Sequence, residues 1–164
     1  AEQKFTPRAE NVLRLAQETA LELGHGYVGC EHILLGLLRE DGGAACRALG
    51  EAGVTEEQLR EQLVRTVGHG LSGSLPSQGL TPRARSAVEM AAAEAMRFAS
   101  PRIGTEHLLL ALAMQPQGAD GRLLHWAGLT GPEIAAAVLR LHGRGAPSDV
   151  LPQGLTQAAR RAVG

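Results

Sequence analysis

Two glutamates stand in the same four-residue setting 75 positions apart, Glu31 in Gly29-Cys30-Glu31-His32 and Glu106 in Gly104-Thr105-Glu106-His107. Each setting opens a strongly apolar run that reads as the first turn of a core helix. In a single copy, a favourable interaction between the carboxylate and the helix dipole is account enough. Its recurrence in both copies points to a site. A helix N-terminus presents unpaired backbone N–H groups that suit an anion, and an adjacent carboxylate suits a cation. A ligand carrying both charges on neighbouring atoms fits that combination.

Other chemistries are less well supported. His25, Glu31 and His32 are of zinc-ligand type, but their spacing does not make a compact helical site. The second copy has Ser100 where the first has His25, so duplication does not preserve such a site. We therefore expect no metal, and read the histidines as packing or hydrogen-bonding residues at a helix start. Cys30 at a helix N-terminus would be a candidate reactive thiolate; the favoured reading is a small residue in place of the Thr105 cap. Lys4 is the sole lysine, so no G-x-x-x-x-G-K-[ST] phosphate loop exists and the chain does not hydrolyse ATP by itself. With no nucleophile elbow and no repeated Cys-His-Asp set, the expectation is a binding module without a cofactor, not an enzyme.

The elements that hold these residues repeat as well. The same shift of 75 carries Thr6-Pro7-Arg8-Ala9 onto Thr81-Pro82-Arg83-Ala84, Leu34-Leu35 onto Leu109-Leu110, and Ala52-Gly53 onto Ala127-Gly128, without a gap from Phe5 to Gly70. Such a duplication predicts two copies of one supersecondary unit packed as a pseudo-symmetric pair. Thr-Pro reads as an N-cap followed by proline at the first helical position. Ala9, Val12, Leu13, Ala16, Ala20 and Leu23 recur at helical spacing, and Gly24 can end the run in left-handed geometry. A second helix runs from Gly29-Cys30 through Leu38, a third fits Ala44 to Ala52, and a fourth follows the capping boxes at Thr55 and Thr130. Nothing alternates with period two, so the predicted fold is all-α, with eight helices in two four-helix units. The units span 5–70 and 80–145, joined by a Gly/Ser/Pro-rich linker at 71–79.

Composition narrows the class. With 16 basic and 17 acidic residues, the chain has no net field to attract nucleic acid or an anionic membrane. Aromatics at 2% leave almost no platform for base stacking. The basic recognition helix of a helix-turn-helix regulator is missing. The longest apolar run is far too short to span a bilayer and no secretory signal precedes Phe5, which together read as a cytoplasmic chain. Cys30 and Cys46 lie in one copy only and read as reduced thiols.

The stretches Phe5-Thr6-Pro7-Arg8-Ala9, Leu23 to Leu38 and Gly104 to Leu112 closely resemble the double Clp repeat. That module is the N-terminal domain of Clp-family AAA+ unfoldases, and the likeness is greatest to ClpC. It covers about residues 5 to 143. It implies an eight-helix pseudo-two-fold domain that docks adaptors and unfolded or tagged substrates for an ATPase ring and protease located elsewhere. In ClpC-type domains the glutamate of each G-T-E-H motif is associated with binding phosphoarginine. The resemblance thus implies guanidinium binding by Glu31 and Glu106, with phosphate received at the helix starts of Cys30 and Thr105. Two departures bear on this: Cys30 stands for the usual threonine, and Ser100-Pro101-Arg102 replaces the usual loop before the second site. Arg102, four residues before Glu106, is expected either to pair with it or to turn outward and contact phosphate, making the sites unequal. A stand-alone scaffold or decoy of Clp repeats is the alternative.

The same shift takes Gln78-Gly79-Leu80-Thr81 onto Gln153-Gly154-Leu155-Thr156. Residues 146–164 therefore read either as a linker or as the start of a third copy.

Overall fold

The computed structural model describes residues 4–70, 79–114 and 118–143. Eight helices follow one another among them: α1 (Pro7–Leu23), α2 (Cys30–Arg39), α3 (Ala44–Glu51), α4 (Glu56–Val67), α5 (Pro82–Arg97), α6 (Thr105–Met114), α7 (Gly118–Trp126) and α8 (Gly131–Gly143). The helix starts are where capping chemistry put them. Thr6 and Thr81 accept from the N–H groups of Ala9 and Ala84 at 3.1 Å, each followed by proline. Thr55 and Thr130 cap α4 and α8 in the same way, at 3.2 Å. Gly24 ends α1 with φ 71°, a left-handed conformation that glycine adopts without strain.

The two most apolar helices, α2 and α6, lie at the centre. Ile33, Leu34, Leu35 and Leu37 of α2 and Leu108, Leu109, Leu110 and Leu112 of α6 are all buried. Burying each such side chain is worth about 1.5–3 kcal/mol, so these helices anchor the core. Gly36 lets α2 press onto α1, since a Cβ there would meet the Val12 carbonyl at 2.7 Å.

One feature departs from the all-helical reading. Lys4–Phe5 (β1) and Arg102–Ile103 (β2) form a two-residue parallel ladder, with Phe5 opposite Ile103. The same contact recurs with the repeats exchanged, because Val28 bridges Leu80. The Thr6 N–H donates to the Ile103 carbonyl and the Thr81 N–H to the Val28 carbonyl, both at 2.9 Å. The pseudo-two-fold is therefore intertwined: the start of α1 sits beside the start of α6, and the start of α5 beside the start of α2. Gly79, assigned to the linker from sequence, takes part by accepting from the Val28 N–H at 2.8 Å. The rest of that linker, 71–78, and the possible third copy in 146–164 lie outside the described residues.

Candidate functional site

Because the units interlock, the start of each central helix meets residues of the other repeat. At site one, α2 contributes Gly29, Cys30 and Glu31, while α5 and α7 contribute Arg83 and Asp120. Arg83 Nη1 lies 3.1 Å from Asp120 Oδ1, and its guanidinium feels the charge of Glu31 as well. At site two, Thr105 of α6 meets the start of α3, and Arg8, at the start of α1, lies against the turn that precedes α3. Arg8 donates to the Asp41 carbonyl at 2.9 Å and approaches Glu40 at 3.4 Å.

Glu31 is 8% exposed and Glu106 only 1%. The arginine side chains remain open, 41% for Arg83 and 44% for Arg8. The Glu31 carboxylate folds back over its own helix start, with Oε1 in the space that a Cβ on Gly29 would take. Gly29 has an extended backbone that any residue adopts (φ −105°), so a side chain there would act by displacing the Glu31 carboxylate.

The histidines behind the glutamates hold the helix starts. The N–H groups of Gly29 and Gly104 donate to Nδ1 of His32 and His107, each at 2.9 Å. With its Nδ1 accepting, His32 must carry its proton on Nε2, which lies 2.8 Å from His25 Nδ1. His25 Nε2 then donates to the Gly68 carbonyl at 2.9 Å. All four ring nitrogens are thereby used within the fold. Burial, helped by the His25 charge, pushes the His32 pKa down to about 3.

Cys30 and Thr105 are the first residues of their helices, and the cap position of α2 is Gly29. Thr105 is not the cap of its own helix: its Oγ1 accepts from the Ala45 N–H at 3.1 Å and so caps α3 of the other repeat. Cys30 is enclosed, and burial, with the nearby Asp120 charge, pushes its thiol up to about 12. That is an unreactive thiol, as expected for a small packing residue. Arg102 is exposed on β2. Glu31 lies beside Cys30 at the start of α2 and Glu106 beside Thr105 at the start of α6. Sequence reasoning missed Arg8 and Arg83. Both were visible as a duplicated arginine in Thr-Pro-Arg-Ala; nothing local said that Arg83 would come within reach of Glu31 in the opposite repeat.

An intertwined eight-helix pseudo-dimer with a carboxylate at the start of each central helix defines a class, and the comparisons agree. The profile of the Clp repeat (R) N-terminal domain matches residues 4–127 and again 79–163. The chain belongs to this family. It is 40% identical over 140 residues to the negative regulator of genetic competence ClpC/MecB of Bacillus subtilis, and 36% identical over 146 residues to the chloroplastic chaperone ClpC of Pisum sativum. These alignments cover 85% and 89% of this chain but 17% and 16% of those proteins. The fold is that of the N-terminal domain of ClpD from Arabidopsis thaliana (TM-score 0.70, 24% identity, 84% of this chain and 93% of that one). It is likewise that of the Hsp104 N-terminal domain from Candida albicans (TM-score 0.70, 16% identity, 93% and 99%).

Proposed function

We propose that this chain is the substrate- and adaptor-recognition domain of a Clp-type AAA+ unfoldase and that it binds arginine-phosphorylated protein segments at two cross-repeat sites. The observation that carries this reading is at site one, where the enclosed Glu31 carboxylate lies within electrostatic reach of the half-open Arg83. Glu31 takes the guanidinium and Arg83 the phosphate; Glu106 and Arg8 do the same at site two. Cys30 and Thr105 are too enclosed to offer side chains to the ligand, so their part is to set the helix starts. Arg102, exposed on β2 shortly before α6, adds a phosphate contact near site two. The partner ATPase ring and protease supply unfolding and cleavage.

Calorimetric titration with free phosphoarginine tests this. Each charge-assisted contact is worth about 1.5–3 kcal/mol, so Glu31→Ala should weaken its site at least about tenfold. Arginine without phosphate should bind much less well. Undiminished binding in the Glu31→Ala, Glu106→Ala double variant overturns the assignment.

A further inference from the structure

We propose that Asp120 is the positioning residue of site one: its buried carboxylate grips the Arg83 guanidinium and sets it in the orientation from which it meets a phosphate. The proposal rests on the reading of Arg83 as the phosphate ligand beside Glu31. Asp120 lies in the first turn of α7 and is fully buried. Its Oδ1 accepts from Arg83 Nη1 at 3.1 Å and its Oδ2 from Arg83 Nη2 at 3.4 Å, so one carboxylate ties both terminal nitrogens and fixes the plane of the guanidinium. The start of α7 is shaped around the same group. Gly118 has φ 65°, and a Cβ there would meet Arg83 Nη1 at 3.1 Å. The arginine side chain is still 41% exposed, and it lines, together with Cys30 next to Glu31, a cavity of about 100 Å³.

An interaction with the helix dipole would account for an acid at the start of α7, but not for its burial. A carboxylate taken wholly out of water needs a charged partner, and Arg83 is that partner. The first repeat holds its arginine differently. The shift of 75 places Ala45 opposite Asp120 and Thr105 opposite Cys30, so the two positions change together between the repeats. Where Thr105 caps the Ala45 N–H, Arg8 is held by the Asp41 carbonyl at 2.9 Å and by Glu40 at 3.4 Å, and Glu40 is shared with Asn11. Site one therefore has the better-fixed arginine of the pair.

Removing the Asp120 charge has two opposed effects. Its repulsion of the phosphate disappears, but beside open solvent that repulsion is screened. The order of a long, half-open side chain is lost as well, and a forked contact to phosphate depends on that order. The second effect is the larger. Amide chemical-shift titration in a Glu106→Ala background, where site one alone binds, measures it. Asp120→Asn keeps the shape and should weaken phosphoarginine about threefold or more while leaving affinity for unphosphorylated arginine, which Glu31 holds, in place. Asp120→Ala, which installs the residue of the sister position, gives the same comparison if the amide disturbs the fold. Phosphoarginine affinity kept or raised in the folded variants, with Glu31→Ala still abolishing binding, overturns this proposal alone. Both ligands weakened alike would show that Asp120 only supports the fold, and overturns it too. Phosphoarginine binding undiminished in Glu31→Ala overturns the guanidinium reading and this proposal with it.

Discussion

Lowering the pH should unfold this domain through His32, and the size of the effect follows from its setting. His32 is fully buried at the start of α2, its Nδ1 accepts the Gly29 N–H, and its Nε2 faces His25. A proton on Nδ1 would break the first of these bonds and place a charge in the core, which is why the pKa falls from 6.5 to about 3. The unfolded chain binds this proton below about pH 6.5 and the folded chain does not until about pH 3. Stability contributed by neutral His32 is thus fully present above pH 6.5 and is lost progressively as pH falls toward 3. With one proton of difference the slope is about 1.4 kcal/mol per pH unit, or roughly 2.7 kcal/mol between pH 6.5 and 4.5. That is a large part of the ~5–15 kcal/mol expected of a domain. Carboxylates also titrate in the lower part of this range, so the comparison is with His32→Gln, whose amide oxygen can accept from the Gly29 N–H as in a capping box. Urea unfolding of both proteins at stepped pH gives the two slopes. The wild type should be steeper by about one proton between pH 6 and 4.5, and parallel slopes would refute the reasoning.

Two further outcomes are expected. Thr105→Val keeps the packing but removes the acceptor for the Ala45 N–H, so it should cost about 1–2 kcal/mol in urea unfolding, with Thr105→Ser restoring most of it; a cost near zero would show that α3 is capped otherwise. At pH 8 iodoacetamide should leave Cys30 unmodified in the folded protein, because burial holds its thiol protonated, and mass spectrometry showing rapid alkylation there would contradict the enclosed site.

Much of this molecule is local in origin and so was legible along the chain. Thr6-Pro7 and Thr81-Pro82 start helices because capping and a preset φ act within four residues. Ile33 to Leu38 declares a core helix because its apolar residues cover the whole circumference. Glu31 and Glu106 were found because duplication places both in a first turn. What the sequence by itself determined is therefore the two units, their helices and the carboxylate that each central helix presents.

Tertiary structure alone decided which residues share a site. Phe5 finds Ile103 and Val28 finds Leu80 through pairings only one or two residues long, too short to leave an alternating pattern. Those crossings carry Arg83 to Glu31 and turn Thr105, which its own position suggested as a cap for α6, into the cap of α3. Arg102 shows the converse: four residues from Glu106 it looked like a partner, yet it lies on β2, which faces its side chain outward. Helix-forming preferences act over a few residues and are written locally, whereas the meeting of distant segments depends on how complete faces pack, and that exists only in the assembled core.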